Sequence, residues 1–201
     1  MSDGRTEAIE QRLLDAALEA ATIHGITKLS MGDVARRAGL SRQTLYRYFP
    51  SKDVLVSAVV AAETTKLIDQ VVGAAVDHEG PRASLEAALS TALVLLRDHP
   101  LLDRLLRTEP EALLPLLTTE GSPAMVRVRS VIELLVGERA PAAVGDDPVA
   151  LRRFADVLTR LLISYAVSAP DDPPEVVAHH LSLFLVPDAT QGVEPPEAVH
   201  P

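Results

Sequence analysis

Arg42, Gln43, Tyr46 and Arg47 fall on one side of a short helix, with Leu45 and Phe49 on the other. Their chemistry is that of reading nucleic acid. An arginine matches the acceptor pair of guanine and a glutamine the donor and acceptor of adenine. Tyr46 offers an apolar face to bases or thymine methyl groups. Thr44, Arg47, Tyr48 and Lys52 supply the donors that hold phosphates and set register, and Ser41 completes this candidate DNA-binding set. Lys52 also opens a helix, whose free N–H groups favour an anion. From Gly25 to Lys52 six bases stand against the single acid Asp33, a local charge of +5 in a chain of net charge −9. Residues 1–60 hold 8 bases and 7 acids, and the remainder 11 and 21. A basic island on an acidic body is a localised electrostatic footprint, although surface charges also cluster by chance.

Other chemistries find little to carry them. There is no cysteine, so no disulfide and no thiolate metal site. No Gly-rich phosphate loop, nucleophile elbow or metal-spaced His/Glu set occurs. His179 and His180 are adjacent, hence about 100° apart on a helix, and cannot share one metal there. His24, His78, His99 and His200 are scattered. No catalytic residue, metal or cofactor is expected.

The elements that must position the set are short. Ser30 is a candidate N-cap, with Asp33 in the first turn behind it. That helix runs through Val34, Ala35 and Ala38 until Gly39 allows the left-handed turn that ends it. Ser41 caps the next helix and Pro50 closes it; Ser51 caps a third start. Two short helices around a glycine turn, the second basic and aromatic, read as a helix-turn-helix. A preceding helix from about Thr6 to His24, with Leu13, Ala16, Ala17 and Ala20 at helical spacing, completes a three-helix unit. Residues 1–6 read as loose.

The run Ala35-Arg36-Arg37-Ala38-Gly39-Leu40-Ser41, then Thr44-Leu45-Tyr46-Arg47-Tyr48-Phe49 and Ser51-Lys52, resembles the DNA-binding segment of TetR-family transcriptional regulators. The resemblance covers roughly residues 8–60. It implies a homodimer on two DNA half-sites, a ligand pocket in the second half and a long helix joining the two parts. Gly32 departs from many relatives, where a longer side chain there helps to read DNA, and its absence shifts the burden to Arg42 and Gln43.

The rest of the chain reads as all-α. A helix from Ser51 to about Asp77 spans nearly 40 Å, at about 1.5 Å per residue. Further helices are expected near 83–98, 101–108, 110–119, 123–138, 148–169 and 174–186. Prolines sit in their first turns, Ser122, Asp147 and Asp172 serve as caps, and Pro115 imposes a kink. No alternating strand pattern appears. The domains are then a helix-turn-helix domain at 1–50, a helical ligand-binding and dimerisation domain at 51–186, and a disordered, proline-rich tail at 187–201.

Within the second domain Leu93, Leu96, Arg97, His99, Arg104, Leu105, Leu117 and Met125 are candidate ligand contacts, if a pocket lies among these leucines as the resemblance implies. Such a pocket would be aliphatic, suited to an acyl chain or terpenoid. Leu151, Phe154, Leu158, Leu162, Tyr165, Val177, Leu181 and Phe184 fit either the chain's own core or a dimer interface, and the resemblance tips the choice to the dimer. No apolar run approaches the roughly 20 residues of a membrane span, and the first residues lack a basic-then-apolar leader, so a cytoplasmic location is expected. The expected partners are double-stranded DNA, a second copy and a small apolar effector. An architectural DNA-binding protein without a switch and a small-molecule carrier with an incidental basic patch stay open on sequence.

Overall fold

The computed structural model describes residues 3–113, 123–139, 141, 144 and 147–186, and no strand occurs among them. None of the described helices is long and apolar enough to cross a membrane. Helix α1 runs Asp3–His24, so residues 3–5, expected to be loose, are helical; Glu7 in the early turns suits the positive helix end. Gly25 ends it at φ +86°, its N–H bonded to the Ala21 carbonyl at 2.8 Å.

Helix α2, Met31–Arg37, begins after Ser30, but the Ser30 hydroxyl makes no cap bond. The N–H groups of Asp33 and Val34 go instead to the Ser30 carbonyl, both at 3.0 Å, which leaves the hydroxyl without its target. Gly39, at φ +64°, turns the chain out of α2, and Leu40 N–H closes the turn on the Ala35 carbonyl at 2.9 Å. Helix α3 is Arg42–Tyr48; Ser41 Oγ accepts from Thr44 N–H at 3.1 Å and touches Thr44 Oγ1 at 2.9 Å. Helix α4, Lys52–Val76, is capped by Ser51 Oγ on Val54 N–H at 3.2 Å.

Helices α5 (Pro81–Arg97) and α6 (Pro100–Thr108) follow, each opening on its proline. Residues 110–113 are again helical; the Pro115 kink, Leu117 and the Ser122 cap lie outside the described residues. Helices α7 (Pro123–Arg139), α8 (Pro148–Val167) and α9 (Pro174–Leu185) complete the fold. Asp147 caps α8 as expected, accepting from Val149 N–H at 2.8 Å. Asp172 does not cap α9. Pro173 holds the cap position and its carbonyl takes the Val176 and Val177 N–H groups, while the Asp172 carbonyl accepts from Arg97 Nη2 at 3.2 Å. The stretch 187–201, expected to be disordered, lies outside the described residues.

Two cores hold the helices. The first joins Leu13 and Ala17 of α1, Val34 of α2 and Leu45 of α3 to Leu55 and Val59 of α4, and reaches Leu101, Leu105 and Leu113. Each such leucine or valine contributes about 1.5–3 kcal/mol by leaving water. The expected division after residue 50 therefore runs through packed side chains, and α6 rests on the three-helix unit. The second core joins Leu89 and Leu93 of α5, Leu158 of α8, and Val177 and Ala178 of α9.

Candidate functional site

The three-helix unit presents α3 outward. Arg42, Gln43, Tyr46 and Arg47 are exposed, Leu45 is fully buried beneath them and Phe49 is buried at the helix end. Tyr46 leaves 49 % of its surface to solvent, whereas Tyr48 is half-buried against the core and carries the Arg47 guanidinium 5.4 Å from its ring centre. Gly32 has a role that its lack of a side chain conceals. A Cβ there would stand 2.6 Å from Cζ and 2.7 Å from Nε of Arg42. The guanidinium of α3 thus lies in space that any other residue at position 32 would occupy.

Two further bases of the island, Arg36 and Arg37, are already engaged. Asp33 holds Arg36 and, at 3.0 Å, Arg37 Nε; Arg37 Nη1 also meets Glu19 at 2.8 Å. Hydrogen bonds from Arg36 and then Arg37 keep the Asp33 carboxyl below the usual carboxylate range. Arg37 thus braces α2 against α1, while the Arg36 pair stays within α2. Arg12, unremarked in the sequence, donates Nη2 to the Ala38 carbonyl at 2.6 Å and so satisfies the end of α2.

Lys52 lies at the start of α4, as expected, and donates to the Thr27 carbonyl at 2.7 Å. The N–H of the same Thr27 donates to Glu109 Oε2 at 3.0 Å. Glu109 follows α6, is buried, and lies against Gly25, where a Cβ would overlap its carboxylate. The turn between α1 and α2 is therefore held on one side by the body of the molecule, through Glu109, and on the other by Lys52. No local pattern in the sequence marks this link, since its partners are 82 residues apart.

A cavity of about 220 Å³ lies beside α4, among α5, α6, α7 and α8. Leu96, His99, Leu105 and Met125 line it, as the sequence predicts. Three other expected contacts do not. Leu93 is turned into the second core. Arg97 Nη2 donates to the carbonyls of Pro170 at 3.1 Å and Asp172 at 3.2 Å. Arg104 stands off the lining, with a buried Nε that has no hydrogen-bond partner among the described residues. Leu117 lies outside the described residues. The wall is aliphatic apart from Glu63, Thr64, His99 and Thr159.

Glu63 went unnoticed in the sequence, although it interrupts the apolar stripe of Val60, Leu67 and Val71 on α4. Its Oε1 accepts from Lys66 at 2.7 Å and its Oε2 stands 3.4 Å from His99 Nε2. The hydrogen bond to Glu63 raises the Lys66 pKa above the ordinary lysine value. His99 Nδ1 accepts from Leu102 N–H at 3.3 Å and so caps α6. Among the described residues no group of three or more His, Cys, Asp or Glu could hold a metal.

The face of α8 expected at a dimer interface is largely consumed inside the chain. Leu158 and Val177 are in the second core, and Phe154, Leu162, Tyr165 and Leu181 pack against it; Leu151 is half-buried. Of that set Phe184 alone points out, 84 % exposed. Val176 and Leu183 of α9 and Val149 and Val157 of α8 are also exposed apolar side chains. An apolar face read from sequence fits a chain's own core and a partner equally well, and here most of it packs internally.

A helix-turn-helix with an outward basic helix, seated on the same α4 and α6 that wall a cavity, is the arrangement of a DNA-binding protein. Residues 13–59 match the family of bacterial regulatory proteins, tetR family, and residues 81–187 match the bacterial Tetracyclin repressor C-terminal domain. The chain is 31 % identical to the HTH-type transcriptional regulator Rv1255c of Mycobacterium tuberculosis over 94 % of its own length and 90 % of that protein's. It is 27 % identical to the HTH-type transcriptional regulator AlkX of the same organism, over 90 % and 85 % of the two chains. Among solved structures, the TetR family repressor AlkX from a Dietzia strain, implicated in biodegradation of n-alkanes, superposes with a TM-score of 0.70 at 25 % identity, covering 89 % of this chain and 93 % of that one. The chain belongs to the tetR family of bacterial regulatory proteins, and it is a DNA-binding transcriptional regulator.

Proposed function

We propose that this regulator is a cytoplasmic repressor that binds a palindromic operator as a homodimer and leaves it when an aliphatic effector fills the cavity. The observation that carries this reading is the shared wall: Leu101, Leu105 and Leu113 line the cavity and also belong to the core of the DNA-binding unit. A ligand that displaces them acts on both, and the contact of Glu109 with Thr27 and of Thr27 with Lys52 extends the path to the DNA-facing surface. Arg42 and Gln43 read base edges, Tyr46 adds apolar contact, and Ser41, Thr44, Arg47, Tyr48 and Lys52 hold phosphates. In the dimer the outer faces of α8 and α9, centred on Phe184, meet their copies, which sets two recognition helices at the spacing of two half-sites. The solved relative implicated in biodegradation of n-alkanes supports an aliphatic effector, as does the apolar wall.

The test is a gel shift on DNA from upstream of the protein's own gene. Selective binding at moderate salt over random DNA, by a species of two chains, and release by an aliphatic compound are expected. Binding that ignores sequence favours an architectural role, and no binding to any DNA favours a carrier.

A further inference from the structure

The apolar cavity has one polar corner, and its hydrogen-bonding pattern is specific. Nδ1 of His99 is occupied as an acceptor by Leu102 N–H, at 3.3 Å. A neutral imidazole whose Nδ1 accepts carries its proton on Nε2. That Nε2–H faces Glu63 Oε2 at 3.4 Å, longer than an ordinary N–H···O bond. Glu63 Oε1 is already taken by Lys66. The corner therefore offers one donor, Nε2–H, and one acceptor, Oε2, side by side. A hydroxyl group donates and accepts at once and can bridge the two. A carboxylate or a thioester carbonyl only accepts, and would leave Oε2 unmatched.

Charge points the same way. Lys66 lies on the outer side of Glu63 with half of its side chain in solvent. No lysine or arginine lines the cavity among the described residues. An anionic head group thus meets the Glu63 carboxylate and no lysine or arginine among the described lining residues.

Resting on the reading of this cavity as the effector site, we propose that the Glu63–His99 corner selects a neutral hydroxyl head group, so that the cavity takes a long-chain aliphatic alcohol in preference to the carboxylate of the same chain. The chain lies along Leu96, Leu105, Met125 and Leu135, and the hydroxyl donates to Glu63 Oε2 while accepting from His99 Nε2–H.

The probes are 1-decanol, decanoate and decane, titrated into the full-length protein by calorimetry near neutral pH, without DNA. The alcohol is expected to bind at least about tenfold more tightly than the carboxylate, because a site built to bond a hydroxyl strongly disfavours a group that leaves its polar atoms unpaired. In Glu63→Gln the amide can donate to an anion, so decanoate gains and the ratio falls to about threefold or less. Decanoate binding as tightly as decanol to the native protein overturns the inference, as does an unchanged ratio in Glu63→Gln. Binding of none of the three overturns the effector cavity itself, a result distinct from a reversed preference. Circular dichroism of Glu63→Gln establishes that the variant is folded.

Discussion

Replacing Gly25 by alanine perturbs the contact between the α1–α2 turn and Glu109. Gly25 adopts φ +86°, where an L-residue is strained by roughly 1–2 kcal/mol. Its new Cβ would also overlap the Glu109 carboxylate. Moving that carboxylate breaks its bond with Thr27 N–H, and a hydrogen bond to a charged group contributes about 1.5–3 kcal/mol. Gly25→Ala should therefore cost about 2.5–5 kcal/mol, a large part of the roughly 5–15 kcal/mol that holds a domain folded. Glu109→Ala should cost about 1.5–3 kcal/mol, since it loses the bond without the strain. The double variant should cost no more than Gly25→Ala alone, because the same bond is lost once. The non-additivity is then about 1.5–3 kcal/mol. Equilibrium unfolding in urea, followed by far-UV circular dichroism at fixed protein concentration, measures all three. Costs that simply add, or a Gly25→Ala variant within about 0.5 kcal/mol of the native protein, would refute the link.

Gly32→Ala should raise stability by up to about 1 kcal/mol through helix propensity, yet shift Arg42 from its seat and change operator affinity; thermal unfolding and fluorescence anisotropy on operator DNA read the two effects separately. Asp33 has a depressed folded-state pKa, so its contribution is present above the unfolded value and lost as pH falls through the folded one. Asp33→Asn should flatten the acid limb of the stability profile below about pH 4 and leave the neutral limb unaltered in shape, as urea midpoints across pH will show. Phe184→Glu should convert the two-chain species into single chains at micromolar concentration in analytical ultracentrifugation, while far-UV circular dichroism stays native.

What could be read from the sequence was local. Ser41, Ser51 and Asp147 cap helices as expected, because the cap and its target lie two or three residues apart. Ser30 misled because a backbone carbonyl took the N–H that its hydroxyl would have accepted. Asp172 misled because two successive prolines offered two helix starts. The exposed polar face of α3 and the buried Leu45 follow from their positions on one short helix. The cavity was legible only in composition. Helical spacing places Leu93 and Leu96 on a stripe but does not say which wall each meets, nor that Arg97 turns to the Pro170 and Asp172 carbonyls while His99 faces the cavity. Glu63 and Glu109 resembled ordinary surface acids, and only the fold, by bringing α6 beside α4 and the α1–α2 turn, gives them partners. The α8 stripe shows the same limit, since burial by one's own chain and by a copy demand the same residues.

In the proposed complex α3 reads sequence through Arg42 while Lys52 holds the backbone. The most direct measurement compares Arg42→Ala and Lys52→Ala by fluorescence anisotropy on operator and on random DNA over a range of salt. Arg42→Ala is expected to lose about 1–3 kcal/mol on the operator and much less on random DNA. Lys52→Ala is expected to weaken both alike and to reduce the salt slope by about one. Equal losses for both variants on both DNAs, with equal salt slopes, would contradict the account.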